Sequence, residues 1–511
     1  MKTAQIRVVI SLIVFVLFLL LFLGGENISV FLSSILLPLQ FVPALIHTVN
    51  NPSVLFISGL IFIVVISLIF GRVYCSFLCP LGTLQDIVIA LARKTGFRKI
   101  HAFRKPNNWL RYSILATTSV FVALGSMSLL NLLDPYSLIG RIFTSFIQPT
   151  FVQIENAGIN VLKNFNIYFF HADTAYLPVP VFFITLVSLI IILIMSARWG
   201  RFYCNTVCPV GTLLGLMARI AVFKFVFNQT NCRECISCES VCKAGCIDHK
   251  TATIDQSRCV GCFNCLEACP QANISYMRCR GNIHGGRWSP SRRGFLIGTI
   301  AATATGLFAF IPGLRNLLGT AHASENPPIT PPGSVGINHF TRACTACHLC
   351  VSACPTKVIT PSFSEYGISG MLQPRMNYEK SFCDYECNVC GRVCPSGAIL
   401  PLPLAEKKYT QIGVVELLKD KCIVYVNKKN CGACGEVCPT HTIIFINKEN
   451  ILYPEVDTRY CIGCGACEKS CPTTPKSIVV RSNPIHKKAD KFAGEEIPVK
   501  KDKEKNKDFP F

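Results

Sequence analysis

Six short runs of cysteine constrain this 511-residue chain more than any other feature. Each packs four cysteines into 11 to 17 residues, and most follow C-x₂-C-x₂-C-x₃-C. They are Cys232, Cys235, Cys238 and Cys242; Cys259, Cys262, Cys265 and Cys269; Cys344, Cys347, Cys350 and Cys354; Cys383, Cys387, Cys390 and Cys394; Cys422, Cys431, Cys434 and Cys438; and Cys461, Cys464, Cys467 and Cys471. Two-residue gaps let one loop wrap three thiolates around one cubic metal–sulfide core, while the fourth sulfur comes from elsewhere. Five of the six runs close on Cys-Pro, a regularity foreign to a disulfide framework. Soft thiolates in this pattern select iron–sulfur clusters over zinc.

The spacing is that of two-cluster bacterial ferredoxins, so six 4Fe–4S clusters are expected. Within the distal runs, neighbouring exchange would join Cys344, Cys347 and Cys350 to Cys394, and Cys354 to Cys383, Cys387 and Cys390, with the last two runs alike. Nesting the first run with the fourth is the alternative. In the first run Lys243 replaces the usual proline and Cys246 follows as a spare that can stand in for Cys242. Cys344-x-x-Cys347-His348 also matches a haem-attachment pattern, but the run continues to Cys350 and Cys354-Pro355.

Half the residues are apolar, 15% are charged and the mean hydropathy is +0.42. These values exclude a disordered chain and point to membrane spans. Four apolar runs, Val8–Leu23, Pro52–Phe70, Leu110–Leu133 and Pro178–Met195, approach the ~20 residues a spanning helix needs, the first with Arg7 snorkelling. Ile28–Ile46, with Pro38, Gln40 and Pro43, reads as re-entrant or interfacial. Eight basic residues lie in Gly71–Arg111 and none in Gly24–Asn51, which places the N-terminus and the first two cysteine runs in the cytoplasm. The formal charge of +21 suggests no nucleic-acid partner, because six clusters at −2 each would bring it to about +9.

An internal repeat organises this half. Gly71-Arg72-Val73-Tyr74-Cys75 leads into Cys79-Pro80-Leu81-Gly82-Thr83-Leu84, and 129 residues later Gly200-Arg201-Phe202-Tyr203-Cys204 leads into Cys208-Pro209-Val210-Gly211-Thr212-Leu213. Equal orientation implies a pseudo-twofold axis along the membrane normal, with both cysteine pairs facing it. Spacing i, i+4 puts each pair on one helix face before the proline break. Cys75, Cys79, Cys204 and Cys208 form either an additional metal or redox site, support for a cofactor pocket, or small buried packing where helices bend.

The expected fold class is a multi-domain membrane protein: an α-helical bundle of four spans in two repeats plus a fifth signal-anchor-like span, with α+β ferredoxin-like domains. Residues 1–227 form the membrane domain and 228–280 a cytoplasmic two-cluster domain. Residues 281–318 carry Arg292-Arg293 and the fifth apolar run, read either as a twin-arginine-like export signal or as an ordinary span. Ala321-His322-Ala323 resembles a cleavage site, although retention is the favoured reading. Residues 319–340 are a Pro-rich linker, 341–483 a periplasmic four-cluster domain and 484–511 a charged disordered tail.

On these motifs, Met1–Arg280 resembles the NapH-type membrane ferredoxins of periplasmic nitrate reductase systems; NosR and CcoG share the C-x-x-x-C-P motif. Ser291–Val480 resembles the NapG type, so the chain looks like a NapH–NapG fusion. The resemblance implies oxidation of quinol from the membrane quinone pool and electron delivery to a periplasmic reductase or cytochrome from the bacterial inner membrane. The alternative is a redox maturation or regulatory factor that keeps a partner's metal or cofactor reduced. The chain has no P-loop, dinucleotide fingerprint or Ser/His/Asp arrangement, so the catalytic residues are unassigned and a terminal-substrate site is not expected. His47 and His171 are either proton acceptors on the outer side or ordinary loop histidines.

Overall fold

A computed structural model describes residues 3–96, 102–166, 168, 171, 173–228, 232, 235–278 and 327–491. The twin-arginine-like segment with the fifth apolar run (281–318), and residues 492–511, lie outside the described residues.

Two repeats build the membrane half. The first contains α1 (Thr3–Leu23), a pair α2 (Glu26–Leu36) and α3 (Phe41–Asn50) bent by 87°, α4 (Val54–Phe70), a one-turn hook α5 (Tyr74–Phe77) and α6 (Pro80–Lys94). The bend falls where Pro38 and Pro43 bracket Gln40, whose extended backbone ends one helix and starts the next. The second repeat contains α7 (Asn108–Ala123), α8 (Ser128–Leu133), α9 (Pro135–Ile142), a π-helical turn (Phe143–Ile147), α10 (Gln148–Lys163), α11 (Val179–Trp199), a π-helical hook (Tyr203–Val207) and α12 (Pro209–Arg219). The repeats interlock: α6 packs on α1 and on α11, while α12 packs on α7 and on α4. Gly71 (φ +77°) and Gly200 (φ +64°) terminate α4 and α11 in left-handed φ, which an L side chain resists.

Two described helices, α1 and α11 at 21 residues each, are long and apolar enough to cross a membrane, or three if the bent pair counts as one. The helices α4 and α7 are shorter, at 17 and 16 residues. The apolar run expected to continue to Leu133 breaks after Ala123, because Gly125 (φ +85°) turns the chain into α8. Arg7 does not snorkel. It is buried and paired with Asp86 at 2.6 Å inside the bundle.

The inner module follows α12 directly. Strand β1 (Phe223–Phe227) pairs antiparallel with β4 (Ile274–Arg278), enclosing the hairpin β2 (Ile247–Asp248) and β3 (Thr253–Ile254). The distal module, residues 327–491, contains three antiparallel pairs: β5 (Ile359–Pro361) with β6 (Pro374–Met376), β7 (Thr410–Leu417) with β10 (Ile478–Lys488), and β8 (Ile443–Lys448) with β9 (Ile451–Val456). Residues 327–340, expected as a linker, are part of this module. The Ile329 carbonyl accepts from Met376 N, the Gly333 carbonyl from Leu400 N, and Thr330 and Ser334 are buried. Prolines lack the donor but keep the acceptor, so a Pro-rich stretch can still be held by its carbonyls. The charged tail likewise begins later than residue 484, since β10 runs to Lys488. Backbone pairing needs no apolar side chain, and charged residues suit an edge.

The two modules sit at opposite ends of α1. Ala4 N donates to Glu267 of the inner module at 2.9 Å, and Ser352 of the distal module donates to the Phe22 carbonyl. At 1.5 Å per residue this helix spans roughly 30 Å. Distal docking uses backbone groups: Arg141 donates to the Ala346 carbonyl (3.2 Å) and Gln148 to the Ser352 carbonyl (3.1 Å). Gly140 in α9 meets the Cys347 carbonyl so closely that a Cβ there would lie 2.3 Å from the oxygen. Gly140→Val should therefore weaken docking by about 1–3 kcal/mol, read as faster limited proteolysis of residues 327–491. Gly158→Val in α10, where a Cβ would have no neighbour within 4 Å, should leave proteolysis unchanged.

Candidate functional site

The repeated hooks bring Cys75, Cys79, Cys204 and Cys208 together as buried residues. The members of each pair do not share one continuous helix, contrary to expectation. Cys79 and Cys208 are extended N-cap residues because Pro80 and Pro209 start new helices, whereas Cys75 lies in α5 and Cys204 in the π-helical hook. The arginines of the repeat cross over. Arg72 Nη2 donates to the Cys204 carbonyl (2.9 Å), and Arg201 Nη1 donates to the Cys75 carbonyl (2.6 Å). Gly211 and Gly82 leave room for this, since a Cβ on either would strike both the carbonyl and the arginine. Arg201 also binds Asp86 (3.0 Å), which pairs with Arg7 (2.6 Å) and Lys243 (3.2 Å) as well. The Cys204 thiol donates to Gln85 Oε1 (3.3 Å), and Gly211 N donates to Cys208 Sγ (3.3 Å).

The six cysteine runs fold into sets by exchange. Cys232, Cys235, Cys238 and Cys269 line one cavity in the inner module. Cys259, Cys262 and Cys265 line another with both Cys242 and Cys246, whose sulfurs are 3.6 Å apart. In the distal module Cys354, Cys383, Cys387 and Cys390 share a cavity, as do Cys422, Cys431, Cys434 and Cys471. Cys394 lies within electrostatic range of Cys344, Cys347 and Cys350, and Cys438 within range of Cys461, Cys464 and Cys467. The distal arrangement is thus between neighbouring runs rather than nested. Among the described residues no three cysteine sulfurs lie within 4.8 Å of one another.

The sets also adjoin. Cys383 N donates to the Cys464 carbonyl at 2.8 Å, joining the two halves of the distal module. Between the membrane cysteines and the first distal set, Tyr203 Oη donates to the Leu133 carbonyl (2.7 Å), and the Tyr136 side chain three residues on is buried beside Cys347. His47 does not lie in an outer loop; it is buried in α3, stacked on Phe56 at 3.8 Å. His171 is exposed beside Asn160. Arg72 and Arg201 were legible in the repeat, as identical residues at one offset. Asp86 was not, because Gly215 occupies its place in the second copy.

Burial pushes the Cys464 thiol up to about 12 and the Cys434 thiol up to about 11. Metal binding there must displace protons, so iron loss to a chelator should accelerate as pH falls and slow as it rises. Cys394→Ser should remove about four irons, those of the first distal set, as read by iron and sulfide analysis. Cys242 lies within range of both Cys262 and Cys265, and Cys246 touches both Cys242 and Cys259. Cys242→Ser should therefore also cost about four irons. Cys246→Ala should keep them while shifting the reduction potential, because a thiol donor to the Cys242 sulfur is lost.

Two domain families match. The one described as "4Fe-4S binding domain" covers residues 52–98 and 181–228, the two membrane repeats, and the one described as "4Fe-4S dicluster domain" covers residues 343–398 and 421–475. The chain is 26% identical over 219 residues to YccM of Escherichia coli, whose name marks it as a candidate electron-transport protein (42% of this chain, 53% of YccM). It is 27% identical over 203 residues to NirI of Paracoccus denitrificans (39% and 25%). It is 23% identical over 230 residues to the ferredoxin-type protein NapH of Haemophilus influenzae (43% and 67%). The chain thus spans about half the length of YccM and a quarter of NirI. No solved structure matches. Together these similarities support a NapH-like polyferredoxin with 4Fe–4S domains, apolar helices able to cross a membrane and a role in iron–sulfur electron transfer.

Proposed function

We propose that the chain combines a NapH-like membrane half with a NapG-like distal half, taking electrons from quinol and delivering them to a periplasmic reductase or cytochrome. The observation that supports this reading is the exchange of cysteines between neighbouring runs, each run's last cysteine lying with the first three of its neighbour. Cys232, Cys235, Cys238 and Cys269 would hold one cluster and Cys242, Cys259, Cys262 and Cys265 the second. The distal clusters would take Cys344, Cys347, Cys350 and Cys394; Cys354, Cys383, Cys387 and Cys390; Cys422, Cys431, Cys434 and Cys471; and Cys438, Cys461, Cys464 and Cys467. Each 4Fe–4S cluster supplies reversible one-electron transfer.

The protein's part is to seclude and order these carriers. Val389, Val393, Leu349 and Val351 are fully buried around the first two distal sets and keep water from their sulfurs. Lys407 donates to the Asp384 carbonyl beside Cys383, placing a cation next to the second set. At the bundle's distal end Arg141 Nη2 is buried with no hydrogen-bond partner among the described residues, and the buried Tyr136 hydroxyl faces Cys347. Both can donate, which suits the oxygens of a quinone head group beside Cys347. The basic residues between α4 and α7 favour the inner module in the cytoplasm and the distal module outside.

Anaerobic titration of the full chain with menaquinol or ubiquinol, followed by EPR, tests this. Reduction of clusters by quinol is expected. Clusters that dithionite reduces but neither quinol touches would overturn the quinol reading.

A further inference from the structure

The third distal run departs from the other five in one respect: eight residues, rather than two or three, separate its first cysteine, Cys422, from its second, Cys431. The insertion forms the short helix Ile423–Asn427 and the exposed loop Lys428-Lys429-Asn430. We propose that this insertion, with the tip of the β8–β9 hairpin beside it, is the port through which electrons leave the chain, and that it docks a soluble one-electron carrier whose surface is acidic around an apolar cofactor edge. The proposal rests on the electron-transfer reading above and deepens it, by naming where the carrier binds and what its surface must be.

Position is the first argument. The first distal set is docked on the bundle, where Arg141 donates to the Ala346 carbonyl and Tyr136 adjoins Cys347. The second set is joined to it by the exchange of Cys354 and Cys394 between their runs. From the second, Cys383 N reaches the Cys464 carbonyl of the fourth. Buried Tyr378, within range of Cys383, Cys461 and Cys464, spans the same step and donates to the Gly463 carbonyl at 2.6 Å. The fourth set adjoins the third through the exchange of Cys438 and Cys471. Cys422, Cys431, Cys434 and Cys471 thus end the series that begins at the bundle. Cys431 and Cys434 are half-buried, whereas Cys344, Cys347 and Cys350 are buried.

The surface there is the second. Among the described residues of the distal module, five of the eight strongly exposed large apolar side chains fall between Val426 and Leu452. The fold holds them outward. Tyr425 Oη donates to Glu455 Oε1 (3.0 Å) and its ring meets Tyr453 edge-on at 5.1 Å, which pins the inserted helix on β9 with Val424 buried and Val426 exposed. Phe445 covers Gly435, next to Cys434, so Ile444 and Ile446 on either side of it project from the other face of β8. Asn430 ties the two loops together, accepting from Leu452 N (2.9 Å) and donating to the Asn450 carbonyl (3.3 Å). The joined loops, 427–430 and 447–450, are exposed throughout and carry Lys428, Lys429 and Lys448 against one carboxylate, Glu449. A cluster on four thiolates is anionic, so a bare edge would repel an acidic carrier; these lysines offset it and present a positive tip that steers such a carrier in. Apolar side chains beside a charged tip suit the small, short-lived contacts of electron-transfer proteins. At each encounter one electron leaves the third set and the carrier's metal is reduced by one unit. No bond is made or broken.

Stopped-flow reduction of c-type cytochromes by the full chain, reduced with dithionite and freed of its excess, tests the port. An acidic c-type cytochrome should be reduced roughly 10-fold faster than basic mitochondrial cytochrome c at about 20 mM salt, and the advantage should largely vanish at about 500 mM. Combining Lys428→Glu, Lys429→Glu and Lys448→Glu should slow the acidic cytochrome roughly 10-fold and weaken its binding to the chain, with iron content and EPR spectrum those of the parent. Lys487→Glu with Lys488→Glu, on β10, should leave both rates unchanged. If the charge reversals cost iron, glutamine at the same three positions removes the charge at similar length and decides instead. Equal rates for the two cytochromes, or a parent-like rate in the iron-replete triple variant, would overturn the port while leaving the six sets standing. Failure of quinol to reduce any cluster would sink the quinol reading alone, because this assay starts from dithionite.

Discussion

The crossed arginines hold the membrane half together. Arg72 closes the turn at Cys204, and Arg201 closes the turn at Cys75. A hook that breaks its helix at C-x-x-x-C-P leaves carbonyls with no partner in its own repeat, and a buried carbonyl without a donor is costly. Here the donor comes from the other repeat, so neither half can complete its fold alone. The glycines at 82 and 211 matter for the same reason, since any side chain there would displace the arginine and strike the carbonyl.

This pairing is not fully symmetric. Arg7 near the start of α1 meets Asp86 in α6, and Arg111 near the start of α7 approaches α12 in the matching way. Gly215 stands where an acid would be, and Arg111 donates past it to the Ser257 carbonyl and hydroxyl at 2.8 and 3.0 Å. One half therefore neutralises its arginine internally, while the other uses it to grip the inner module.

Distal docking follows a different rule. The loop around Cys347 and the short helix Leu349–Ala353 meet α1, α9 and the following π-helical turn largely through backbone carbonyls. Such contacts fix position tightly, because a carbonyl cannot change rotamer. They also leave little imprint on side-chain pattern, which is why no sequence feature announced the interface. The Pro-rich stretch and the charged end of β10 misled for a related reason. Both are held by main-chain hydrogen bonds that composition does not report.

Sequence alone determined the iron–sulfur chemistry, the two-fold repeat and the break between α2 and α3, because each is written in short-range spacing: thiolates two residues apart, a motif returned at a constant offset, prolines flanking one glutamine. It could not determine where α7 ends, that Arg7 is buried against Asp86, which run lends its fourth cysteine to which set, or that the two repeat arginines cross to the carbonyls of the hook cysteines. Those depend on groups tens to hundreds of residues apart. Only packing in three dimensions brings such groups within reach of a hydrogen bond or a shared charge.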